Sequence, residues 1–145
     1  MPRDYAVRLT EELNDALCEH LIRQDGDEDL CFALWTPSAG TNRLTAMLNE
    51  VVLPENGDRQ VHGNVSFNQQ YVERVCRLAL EQQRGIAFLH SHPFPGWQSM
   101  SPDDVIAEQR LAGSISALTG LPLVGLTVGS DRTWSARMWE HRHGR

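Results

Sequence analysis

Apolar and polar positions along this chain follow two rhythms, and the changes between them mark its elements. Leu9, Leu13, Leu17 and Leu21 recur at the spacing that lines one face of a helix. Thr10-Glu11-Glu12 suits the start of that helix and Asp25-Gly26 its end, which predicts a helix from Thr10 to Gln24. Two strand-like runs follow, Leu30 to Trp35 and Leu44 to Leu53, around the turn-forming stretch Pro37-Ser38-Ala39-Gly40-Thr41-Asn42. Pro54-Glu55-Asn56-Gly57-Asp58 is a turn by composition, and a short extra strand is expected near His62. Asn68 can cap a second helix that carries Val72, Val75, Cys76 and Ala79 on one face and closes at Gly85. Ile86-Ala87-Phe88-Leu89 is continuously apolar and reads as a buried strand. A third helix is expected from Ser101 toward Leu118, stopped at Thr119-Gly120. Leu121 to Val128 and Thr133 to Trp139 form a final hairpin around Gly129-Ser130-Asp131. The order α-β-β-α-β-α-β-β predicts an α/β (α+β) domain with a mixed central β-sheet flanked by about three helices.

Composition narrows the class. With 145 residues, 41% of them hydrophobic, the chain is expected to bury one real core as a single domain. No apolar run approaches the ~20 residues that span a bilayer, so no membrane contact is expected. Met1-Pro2-Arg3-Asp4-Tyr5 lacks the apolar core of a secretion signal, which makes the cytoplasm the expected compartment. A net charge of −6 without a basic stripe speaks against nucleic acid as a partner. Cys18, Cys31 and Cys76 are odd in number and widely spaced, and read as reduced, mostly buried thiols. Residues 1–140 are assigned to the domain. His141-Arg142-His143-Gly144-Arg145 is expected to be a basic tail, frayed or the point where a longer protein was cut.

Candidate chemistry concentrates in one stretch. In a strand, His90 and His92 project to the same side, about 6.5–7 Å apart along the chain. Two imidazole nitrogens at that spacing can converge on one ion at about 2.0–2.1 Å. Pro93 stops the strand, and the chain loops through Phe94-Pro95-Gly96-Trp97-Gln98-Ser99-Met100. Ser101 then reads as a helix N-cap, with Pro102 at the first helical position and Asp104 at the third. A carboxylate there can supply a third ligand, leaving one position for water, as in a catalytic rather than a closed structural site.

His90-Ser91-His92 followed by Ser101-Pro102-Asp103-Asp104 resembles the JAMM motif of the JAB/MPN metalloprotease family, in which a remote Glu precedes His-x-His and Ser-x-x-Asp. The loop at positions 93 to 100 is one residue longer than the family's usual spacing, and the Ser-x-x-Asp phase favours Asp104 over Asp103 as the ligand. The resemblance implies a single JAB/MPN-like domain with Zn2+ held by His90, His92 and Asp104. It implies Ser101 as the group that stabilises the oxyanion and a Glu as general acid/base. Glu28 falls at the matching distance before an apolar run, although Cys31 and Trp35 replace the family's glycines there. Glu50 is the main rival, and Glu108, one turn after Asp104, is a third candidate, as readily a solvated carboxylate or one that only supports a metal ligand.

The implied activity is hydrolysis of the amide bond, isopeptide or linear, after the C-terminal tail of a ubiquitin-like protein. Phe94, Trp97 and Met100 can grip that tail, or Trp97 and Met100 can fold back onto the core. Gly96-Trp97-Gln98-Ser99-Met100-Ser101 also looks like prokaryotic JAB domains that accompany ThiF-like activating enzymes, some in conjugation and antiphage defence systems. ThiF-like activating and conjugating enzymes are therefore possible partners. A non-catalytic MPN scaffold and a small-molecule amidase on the same fold remain alternatives. A cupin would need almost no helix, and a metallo-β-lactamase-like site would need Asp-His where Pro93-Phe94 stands.

Overall fold

The computed structural model describes residues 4–40, 42–62 and 64–140. The basic tail at 141–145 therefore lies outside the described residues. Among the described residues three helices and eight strands run in the order β1 (Asp4–Arg8), α1 (Glu11–Leu21), β2 (Leu30–Ala39), β3 (Arg43–Val52), β4 (Arg59–His62), β5 (Asn64–Phe67), α2 (Gln69–Gln82), β6 (Gly85–Ser91), α3 (Pro102–Thr119), β7 (Leu123–Val128) and β8 (Trp134–Trp139). Six strands form one mixed sheet in the order β1-β3-β2-β6-β7-β8, and β4 and β5 pair as a separate hairpin. The β1–β3 and β6–β7 pairs are parallel and the other pairs of the large sheet are antiparallel. Among the described residues no helix is long and apolar enough to cross a membrane.

Alternation along the central strands sorts the core into two layers. Cys31, Ala33 and Trp35 of β2 face one side with Ala87 and Leu89 of β6, and Leu17, Cys18 and Leu21 of α1 cover them. Leu30, Phe32 and Leu34 face the other side with Ile86 and Phe88, under Tyr71 and Val75 of α2 and Leu111 and Ile115 of α3. Each fully buried Leu, Ile or Phe contributes about 1.5–3 kcal/mol. His90 continues the Ile86, Phe88 parity and so stands on the face that α2 and α3 cover. Its ring stacks on Phe88 with centroids 5.7 Å apart.

Several boundaries differ from the sequence reading. β1 was not anticipated: it is five residues long with a charge at each end, and its pairing with β3 joins segments about 40 positions apart. The strand expected near His62 is a hairpin, β4–β5. Helix α1 stops at Leu21, not Gln24, because Ile22 turns extended while its N–H still donates to the Cys18 carbonyl. Helix α2 closes on Gln83, left-handed at φ 54°, and Gly85 instead opens β6. Gly85 is required by contact: a Cβ there would sit 2.1 Å from the Trp35 ring, whose Nε1 donates to the Ile86 carbonyl at 3.0 Å. Asn68 occupies the N-cap of α2 without capping through its side chain, and its amide donates to the Gly57 carbonyl instead. Pro37 lies inside β2 rather than in a turn. Pairing of β2 with β6 ends at Trp35–Gly85, so Pro37 has a strand neighbour on the β3 side alone.

Candidate metal centre

A parallel crossover places the start of its helix beside the end of the strand before it. Here β6 ends at Ser91, α3 begins at Pro102 and β7 returns parallel to β6. His92 lies one residue past the strand, yet its N–H donates to the Val128 carbonyl at 3.0 Å, so the extended geometry carries on. At the other side of the cleft Ser101 caps α3: its Oγ accepts from the Asp104 N–H at 3.1 Å, and an Asp104 oxygen accepts from the Ser101 N–H at 3.1 Å. This reciprocal cap fixes the carboxylate against the imidazoles.

Three donor atoms converge. The Nε2 atoms of His90 and His92 are 3.2 Å apart, and Asp104 Oδ2 is 3.2 Å from the second and 3.5 Å from the first. A tetrahedral ion with bonds of about 2.0–2.1 Å has edges of roughly 3.3 Å, so this triangle has the size of one tetrahedral face. His90, His92 and Asp104 form the one group of three or more potential ligands found among the described residues. His90 is buried, and its Nδ1 has no hydrogen-bond partner among them, so every polar neighbour of that ring lies at Nε2. Two nitrogens and one carboxylate oxygen are a donor set that can hold a divalent transition-metal ion.

Glu28 faces the same space. With Val65, His92, Phe94, Ser101 and Asp104 it lines a cavity of about 430 Å³. Burial raises the Glu28 carboxyl above its ordinary range; the nearby His92 and His90 pull it down and Asp104 pushes it up, with a net rise. Asp104 moves the opposite way. Burial alone would raise it, but hydrogen bonding and charge from His90, together with the Ser101 bonds, hold it well below the usual carboxylate range. The neighbouring Asp103 lines the cavity from the exposed side of the helix and is not in the donor triangle.

The rival carboxylates are elsewhere. Glu50 pairs with Leu34, which pairs with Ile86, four positions along β6 from His90, and its carboxylate faces Arg84 at 3.9 Å. Glu108 is neither solvated nor turned to the cavity. It is fully buried, receives the Arg137 guanidinium and accepts from Trp139 Nε1 at 2.8 Å, on the sheet's β7–β8 side. Arg137 and Trp139 are 29 and 31 positions away in sequence, which is why no local pattern foretold that pairing.

The loop between β6 and α3 is docked, not loose. Its Phe94 carbonyl accepts from Ser130 N–H at 2.9 Å, and the Gly96 and Gln98 N–H groups donate to Asp131 Oδ1 and Ser135 Oγ. Gly129 permits this approach, since a Cβ there would lie 2.8 Å from the Phe94 and Gly96 carbonyl oxygens. Phe94 is 65% exposed and Trp97 72%, so neither folds back onto the core. Phe94 lines the cavity; Met100 is half-buried and, like Trp97, stands outside its lining.

Sequence reasoning missed Asp29, beside Glu28. Only 1% exposed, it accepts from Arg59 Nε at 2.5 Å and Nη2 at 3.0 Å and from Arg23 Nη1 at 3.2 Å. A buried aspartate in an acidic turn looks like surface in a sequence, and its partner Arg59 is 30 residues away.

No protein-family model matches the chain, and no curated protein matches it. Among solved structures, the solution structure of protein DSY2949 from Desulfitobacterium hafniense is similar over 92% of this chain and 82% of that one, at 17% identity and a TM-score of 0.48.

Proposed function

We propose that the chain is a zinc-dependent peptidase or isopeptidase of the JAB/MPN type that hydrolyses the amide bond after the C-terminal tail of a ubiquitin-like protein. The observation that supports this reading is the donor triangle of His90, His92 and Asp104, of which His92 and Asp104 line one cavity with the Glu28 carboxylate and the Ser101 hydroxyl. Zinc held there would supply the charge that brings the pKa of a water from 15.7 toward about 7 and polarises the scissile carbonyl. The rest is the work of side chains. Glu28 takes the proton of the attacking water on a carboxylate oxygen and passes it to the departing amine, which leaves poorly until protonated. Its upward shift suits that double duty, because a base that must later act as an acid works best with a pKa closer to the operating pH. Ser101 Oγ already accepts from the Asp104 N–H, so its own O–H is the group left to donate to the developing oxyanion. Phe94 and Trp97, held by a docked loop, present apolar surface to an extended tail. In such a pathway the enzymes that attach the tail, of the ThiF-like class, are its functional partners.

A panel of ubiquitin-like fusions, incubated with and without a chelator, tests the proposal. Cleavage directly after a tail glycine, lost with chelator and restored by zinc, is the expected result. Turnover of short acyl amides but of no fusion would favour the small-molecule amidase. Bound zinc without hydrolysis of either would favour a binding module.

A further inference from the structure

Glu28 sits just before β2, where no ladder pairing holds its own backbone, so something else must fix it over the cleft. The structure supplies that through Asp29. The Asp29 N–H donates to Ser91 Oγ at 2.9 Å, and the Ser91 N–H donates back to the Asp29 carbonyl at 3.0 Å. Ser91 is the residue between His90 and His92, and it is buried. One doubly bonded pair therefore joins the residue next to the base to the residue between two metal ligands. The side chain of Asp29 is fixed as firmly: Oδ1 accepts from the Leu30 N–H at 2.8 Å and from Arg59, while Oδ2 accepts from Arg59 and Arg23, with His20 Nε2 3.7 Å away. Arg59 belongs to β4, whose hairpin partner β5 brings Val65 to the cavity wall.

Burying a carboxylate among cations is a poor way to gain stability, since desolvation costs several kcal/mol per ion and apolar packing often does as well. What such a cluster provides is a unique arrangement. Resting on the reading of Glu28 as the base, we infer that Asp29, clamped by Arg59, is a positioning residue that sets Glu28 relative to the His90–His92 pair and links it to the hairpin wall. Groups of this kind typically change activity or metal affinity by 10–100-fold when altered. Here the effect falls on turnover and not on affinity, because Asp29 touches no ligand side chain.

The test compares wild type with Asp29→Asn, which keeps shape but not charge, and with Arg59→Ala and Arg59→Lys. Zinc affinity is measured by competition with a chelator, kinetics on whichever fusion of the panel the wild type cleaves, and the paramagnetic shift of the Glu28 amide in cobalt-loaded protein by NMR. Asp29→Asn and Arg59→Ala are expected to hold zinc within about threefold, to lower kcat 10–100-fold with KM nearly unchanged, and to move the Glu28 shift. Arg59→Lys should recover part of kcat. An unmoved Glu28 shift with unchanged kcat overturns the inference. So does zinc affinity falling in step with kcat, which would make Asp29 a support of the ligands. Should the wild type cleave no fusion, the peptidase reading fails, and the Glu28 shift alone still decides the positioning role. Should Asp29→Asn fail to fold, the two Arg59 variants carry the same comparison.

Discussion

Two carboxylates face one cavity with opposite surroundings. Glu28 is raised by burial, while Asp104 is pinned low by hydrogen bonds from an imidazole and a helix cap. A group held ionised is suited to keeping a cation, and a group eased toward neutrality is suited to exchanging protons. Removing only the second function should separate the two roles. Glu28→Gln is expected to bind zinc as the wild type does and to lose turnover by about 10²–10⁴-fold, measured on a cleaved fusion with zinc stoichiometry determined in parallel. A different kind of single-residue constraint appears at Gly85. Its φ is ordinary, so only the Trp35 ring 2.1 Å from a would-be Cβ excludes alanine. Trp35 is fully buried and cannot retreat, and Gly85→Ala is expected to cost about 1–3 kcal/mol in urea unfolding.

At the scale of elements, the reach of sequence reasoning followed the range of the interactions. The start of α3 was legible because its capping box is written in four consecutive residues, Ser101 to Asp104. The imidazole pair was legible because strand parity is local. β1 was not, since a five-residue edge strand is defined by a distant partner, and neither was the pairing of Arg59 with Asp29. Which of Glu28 and Glu50 lies beside the imidazoles depends on the end of β6 each carboxylate reaches, a matter of register that no motif encodes. The turn before β4 has its own buried acid. Asp58 accepts from the Glu55 N–H at 2.7 Å and from Arg74 Nη1 at 2.5 Å. Burial opposes ionisation there, but the Glu55 N–H, Arg74 and Gln70 together lower the Asp58 carboxyl below its ordinary value of 3.8. A depressed folded-state value contributes stability above pH 3.8 that is lost as pH falls through the folded value. Asp58→Asn should therefore be less stable than wild type at pH 7, with the gap narrowing below pH 4 in acid-dependent urea melts. A gap that stays constant to pH 2 would assign the loss to packing instead.

For the molecule as a whole, a mixed sheet covered on both faces brings the end of β6, the start of α3 and the segment before β2 to one cleft. A second cavity of about 510 Å³ lies between α2 and α3, lined by residues such as Val72, Cys76, Leu111 and Leu118, and gathers no such chemistry. The cleft thus gathers His92, the capped Asp104 carboxylate, the Glu28 carboxylate of shifted acidity and the Ser101 hydroxyl along one wall, with His90 Nε2 3.2 Å from that of His92. Calorimetric titration of chelator-treated protein with zinc tests this most directly. Saturation at one equivalent is predicted for the wild type, with tight binding lost in His92→Ala and in Asp104→Asn. No saturable binding by the wild type, or binding undiminished in both variants, would contradict a metal centre at His90, His92 and Asp104.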